Sequence, residues 1–124
     1  MNSISYILVF LGGGLGSVTR FALSSWVKRM WPQDSLSPLV ATLLANILAT
    51  GIVAYLYFIG KPKTASDATV WLLGAVGFSG GLSTFSTFSL ETYTLMQEGN
   101  WGLAAAYVLA SLSTGFLMLY ILAR

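Results

Sequence analysis

The sequence predicts an all-α membrane protein of four transmembrane helices, and three observations carry that reading. Of its 124 residues, 56% are hydrophobic and only 8% charged, and the mean hydropathy is +0.76. A soluble domain is about 25% charged, so these few charges cannot make a solvated surface. They are Arg20, Lys28, Arg29, Asp34, Lys61, Lys63, Asp67, Glu91, Glu98 and Arg124, and long stretches between them are almost free of charge. A crossing takes about 20 apolar residues, so the length admits four crossings joined by short loops. The whole of 1–124 reads as one membrane domain with no room for a separate extramembrane one.

The first span covers about residues 3–23. It lacks a basic leader and has Arg20 near its end, so it reads as a permanent span and not as a cleaved signal. The first loop follows over 28–38, with Trp31 and Pro32 placed as interfacial anchor and turn. Ser37 and Pro38 suit the cap and first turn of the second span, 38–59. The polar stretch 60–67 is the second loop. The third span, 68–96, holds four glycines and then a run alternating hydroxyls with phenylalanines (GAVGFSGGLSTFSTFS, 74–89). A glycine pair deep in a span makes a poor helix, which predicts an interruption near Gly80 and Gly81. Glu98, Gly99 and Asn100 make the third loop, and the fourth span covers 101–122.

Composition also excludes chemistry. The chain has no cysteine and no histidine, which removes disulfides, thiol chemistry, the commonest metal ligand and the usual general base. A net charge of +2 without a basic cluster leaves no footprint for nucleic acid. Orientation follows the excess of Lys and Arg on the cytoplasmic side. Here Lys28 and Arg29, with Arg20 if it reaches that face, oppose Lys61, Lys63 and Arg124. So even a balance is compatible with one weakly specified orientation or with insertion both ways. Insertion both ways leads to a homodimer of oppositely oriented subunits, an inverted repeat without gene duplication.

Polar groups inside a span mark a path or a helix contact. In the first span Gly12 and Gly16 have the spacing that lets another backbone approach. Arg20 lies one turn further on the same face, as an interfacial anchor or as an attractor of anions. Thr42, Asn46 and Thr50 share one face of the second span, and Asn46 brings two donors and an acceptor to mid-span. Tyr107, Ser111 and Thr114 or Gly115 form a similar stripe on the fourth. In the third span Phe85 and Phe88 share a face and are interleaved with Ser83, Thr84, Ser86, Thr87 and Ser89. Ordinary packing accounts for a phenylalanine pair alone; the interleaved hydroxyls are more than packing needs. Hydroxyl donors and positive ring edges suit a small anion that must shed water. Cation selectivity would call for rings of carbonyls or acids, and Glu91 is the one acid within the spans.

Together these residues resemble the Fluc/CrcB family of fluoride channels, through all four spans. The first carries the GGxxGxxxR pattern as Gly12, Gly13, Gly16 and Arg20, and the second carries Thr42 and Asn46. The third is similar to the family's GFxGGxTTFSTF segment, here Gly77 to Ser89 followed by Glu91, and the fourth carries Tyr107 and Ser111. The resemblance implies an antiparallel dual-topology homodimer in the cell inner membrane, surrounded by lipid, with two pores that export fluoride passively. It implies a fluoride pathway of Asn46, Phe85, Phe88, Thr42, Tyr107 and Ser111, with Arg20 at the vestibule and Glu91 as a candidate gate. It also implies a structural sodium ion (Na+) at the dimer centre, held by the backbone carbonyls of Gly80 and Ser83. Ser83 stands where the family more often has Thr, and Ala49 where a Gly often follows the Asn. Two rivals share the size: a dual-topology multidrug exporter, which depends on a first-span Glu missing here, and a non-transporting membrane scaffold.

Overall fold

Asn2 opens the first helix by accepting the Ser5 N–H on its side chain, one of the four donors every helix start leaves free. The computed structural model describes residues 2–60 and 63–124; Lys61, counted above in the charge balance, lies outside them. Helix α1 (Ser3–Met30) runs 28 residues, well past the expected end at residue 23. Nothing stops it before Trp31, whose place ahead of Pro32 forces it out of helical geometry. Lys28 and Arg29 therefore belong to its last turn, where cations complement the helix dipole.

Helix α2 (Ser37–Phe58) starts at Ser37 instead of being capped by it. Asp34 serves the start, taking the Leu36 N–H on its carboxylate at 2.8 Å and the Ser37 N–H on its backbone carbonyl. Ala41, Ala45 and Ala49 are buried along one face, and small residues at spacing four let neighbouring helices close in. Ala49 packs with Ala45 and Leu82 in the central cluster.

The third span is compound. A capping box of Thr64 and Asp67 starts helix α3 (Ala65–Val70), which passes into a nine-residue π-helix, Trp71–Ser79, and a single turn, α4 (Gly80–Leu82). Ser83 and Thr84 are extended, with φ/ψ of −75/156 and −152/113, and helix α5 (Phe85–Gln97) follows. Gly80 and Gly81, where the glycine pair placed the interruption, are helical, and the extended pair lies just beyond them. The reason is local. Gly81 is pressed against the backbone of α1, where an added Cβ would fall on the Gly13 carbonyl oxygen. Thr84 then caps α5 by accepting the Thr87 N–H at 3.2 Å.

That pressure on Gly81 belongs to a longer seam. A Cβ on Gly12 would strike the Leu73 carbonyl oxygen, and one on Gly16 the Phe78 carbonyl oxygen. The two glycines of the GxxxG spacing thus do what that spacing permits: α1 and the π-helix meet backbone to backbone. Gly99, at φ 80, ends α5 with its own N–H on Met96 and the Asn100 N–H on the Leu95 carbonyl. Helix α6 (Trp101–Leu122) then packs on α2 and α5.

Among the described residues there is no strand, and four helical stretches are long and apolar enough to cross a membrane. The buried core is largely alanine, threonine and serine, whereas Phe10, Leu15, Phe21, Trp26 and Phe116 face outward. Large apolar side chains on the outside fit lipid, not water.

Candidate functional site

The extended pair in the third span determines the site. In a continuing helix the Thr84 N–H would bond the Gly80 carbonyl; here it donates instead to Asn46 Oδ1, 2.9 Å away. An N–H can only donate, so the Asn46 oxygen is fixed on Thr84 and the two Nδ2 donors remain for the cavity that Asn46 lines. One turn along, Thr50 donates its hydroxyl to the Asn46 backbone carbonyl at 2.8 Å.

The cavity holds about 270 Å³ between α2, α5 and α6, and Asn46, Thr50, Thr84, Phe85, Phe88 and Ser111 are among its walls. None of the described lining residues is charged. The Ser111 hydroxyl is buried and has no partner among the described residues, and its residue forms part of the wall. Phe85 is 81% exposed, while Phe88 lies inward, its ring centroid 6.1 Å from that of Phe85 and 5.1 Å from that of Tyr107.

Behind Phe88 the polar residues form a second group. Tyr107 donates to Glu91 Oε2 at 2.7 Å and Thr42 to Glu91 Oε1 at 2.9 Å. Thr42 and Tyr107 are both buried, and Glu91, partly buried, accepts one hydroxyl on each carboxylate oxygen.

The expected site residues therefore fall into separate places. Asn46, Ser83, Phe85, Phe88 and Ser111 share the cavity; Thr42 and Tyr107 meet at Glu91 beyond it. Gly80 and Ser83 line another cavity, of about 260 Å³, with Thr50 and Ser79. Arg20 is half-buried on α1 and lines none of these. The backbone N–H of Thr84 is the participant that sequence reasoning missed. The Thr84-to-Thr87 spacing, a helix-start pattern inside a hydrophobic run, was the available sign of it.

Among the described residues, four helical stretches of membrane length, three of which enclose a neutral, donor-lined cavity, define the class: a multi-pass membrane protein. The chain belongs to the CrcB-like family, whose model, described as "CrcB-like protein, Camphor Resistance (CrcB)", matches residues 7–122. It is similar to proteins named "Fluoride-specific ion channel FluC". The one from Azotobacter vinelandii is 39% identical over 113 residues, 90% of this chain and 87% of that one. The one from Shewanella sp. strain ANA-3 is 40% identical over 121 residues, 98% and 93% of the two chains. The one from Serratia proteamaculans is 43% identical over 114 residues, 92% and 87%. Its relatives are named as channels, and the chain is not an enzyme.

Proposed function

We propose that this chain is a fluoride-selective passive channel that exports fluoride from the cytoplasm across the cell inner membrane. It works as a homodimer of oppositely oriented subunits with two pores. One observation carries the reading: a cavity at membrane depth whose walls offer amide and hydroxyl donors and phenyl rings but no charge. Fluoride is small and strongly hydrated, so its water has to be replaced by a dense set of donors. Neutral donors do this without holding the ion too tightly to leave, as conduction requires. The names of the relatives point the same way.

In this reading Asn46 Nδ2 and the Ser111 hydroxyl donate to the ion, and Phe85 and Phe88 turn ring edges toward it. Thr42 and Tyr107 continue the route past Phe88, with Glu91 as gate, and Arg20 draws anions to the vestibule. Phe85 is exposed although it lines the cavity, and in this reading the second subunit covers it and closes that wall. The extended pair at Ser83 and Thr84 is then a helix break at the dimer centre.

Gly80 and Ser83 are the proposed ligands of a structural sodium ion, one pair of backbone carbonyls from each subunit. The residues fit this group. The N–H groups that a continuous helix would aim at those carbonyls go instead to Asn46 Oδ1 and Thr84 Oγ1. A Cβ on Gly80 would meet nothing within 4 Å, so the space beside it is open. Sodium would supply fixed positive charge for otherwise unpaired carbonyls.

Efflux from liposomes holding purified protein tests the reading. Fluoride should leave rapidly and chloride should stay; no fluoride efflux, or equal efflux of both ions, overturns it. An exporter or scaffold gives no passive fluoride flux.

A further inference from the structure

Two cavities meet at Glu91, and they differ in charge. The larger, about 300 Å³, opens where the first loop faces α5 and the start of α6, with Ser35, Glu91, Thr94, Glu98, Asn100 and several leucines in its walls. The smaller, about 150 Å³, lies between α1, α2 and α5, and its walls include Ser24, Lys28, Ser37, Thr42, Thr87 and Glu91. Glu91 belongs to both. In the larger cavity Glu98 adds a second carboxylate to a mostly apolar wall. In the smaller one Lys28 offsets Glu91, and four of the lining residues carry hydroxyls.

A chain of side-chain contacts links the walls of both cavities to that of the neutral one. Phe88, in its wall, packs on the ring of Tyr107, whose hydroxyl bonds Glu91, and Glu91 bonds Thr42 in the wall of the smaller cavity. An anion past Phe88 thus meets a fork. One branch places it between two carboxylates, with Ser35, Thr94 and Asn100 as the neutral donors. The other offers hydroxyl donors and an ammonium group.

We propose that the anion takes the Lys28 branch, and that Lys28 is a recruiting residue that sets the rate of anion entry at that mouth. The proposal deepens the channel reading and rests on it. Lysine is well matched to this role, because its ammonium is a hydrated point charge on a flexible stem, which attracts an anion without clamping it in a fixed fork. Lys28 is exposed, at the end of α1, so replacing it removes charge and not packing.

The test is fluoride efflux from liposomes at low and high ionic strength. Lys28→Gln should slow efflux roughly threefold at low salt, the effect of one unit charge about 7 Å away in a watery mouth. The deficit should shrink at high salt, where screening is strong, and Lys28→Arg should restore the rate. Glu98→Gln, on the other branch, should leave efflux as it was. If Lys28→Gln conducts at the wild-type rate at low salt, or if Glu98→Gln changes efflux as much, the branch assignment is overturned. A wild-type protein that passes no fluoride overturns the channel reading itself, and this proposal with it.

Discussion

Thr84 gives its backbone N–H to the side-chain oxygen of Asn46 across 2.9 Å, and that single bond joins the second span to the extended pair of the third. It lets an amide, which has donors at one end and an acceptor at the other, present only donors to the cavity.

Two substitutions at Asn46 separate its roles. Asn46→Asp keeps an acceptor for Thr84 but faces the cavity with negative charge; folding should survive and fluoride efflux should fall by at least about tenfold. Asn46→Leu leaves the Thr84 N–H unpaired and should cost about 1 to 3 kcal/mol as well. Thermal unfolding in detergent, measured beside efflux, distinguishes them; equal melting losses for both would contradict the assigned orientation.

Phe85→Ile and Phe88→Ile keep bulk and remove the ring edge. Each should lower fluoride efflux while the protein elutes in size-exclusion chromatography where the unsubstituted protein does. Normal conduction in both variants would end the ring-edge assignment.

The Glu91 cluster should behave as a unit. Tyr107→Phe and Thr42→Val each remove one hydroxyl bond to the carboxylate, for about 0.5 to 2 kcal/mol apiece. The double variant should depart from the sum of the two, because both bonds end on one group. Strict additivity in a melting series would mean that Glu91 does not couple them.

The glycine seam gives a prediction about assembly of the subunit. Gly16→Ala pushes a methyl group into the Phe78 carbonyl and should destabilise, whereas Gly14, with nothing within 4 Å of an added Cβ, should tolerate alanine. Gly14→Ala even gains up to about 1 kcal/mol of helix propensity. Melting temperatures that fall equally for both would contradict the close packing of α1 on the π-helix.

The four helices were legible because apolar length and scarce charge survive any detail of packing. Their ends were less so. Helix α1 runs to Met30 because a lysine and an arginine in a last turn are no obstacle to a helix, although they read as loop. The glycine pair signalled the disturbance in the third span, but the extended backbone begins two residues further on, because glycine also serves close approach, and Gly81 is used that way. The stripe of Thr42, Asn46 and Thr50 was visible as a face of one helix. Its division between Glu91 and the cavity was not, since that depends on where Phe88 and Tyr107 come between.

Helix α1 has a consequence for the surroundings of the protein. At 28 residues it measures about 42 Å, against a hydrocarbon layer of about 30 Å. It must lean, or stand proud of the apolar layer by a couple of turns. Lys28 therefore has no depth of its own; its height above the acyl chains depends on how thick the local bilayer is. Lipid chain length becomes a control on how the mouth beside Lys28 meets water, exercised without any change to the protein.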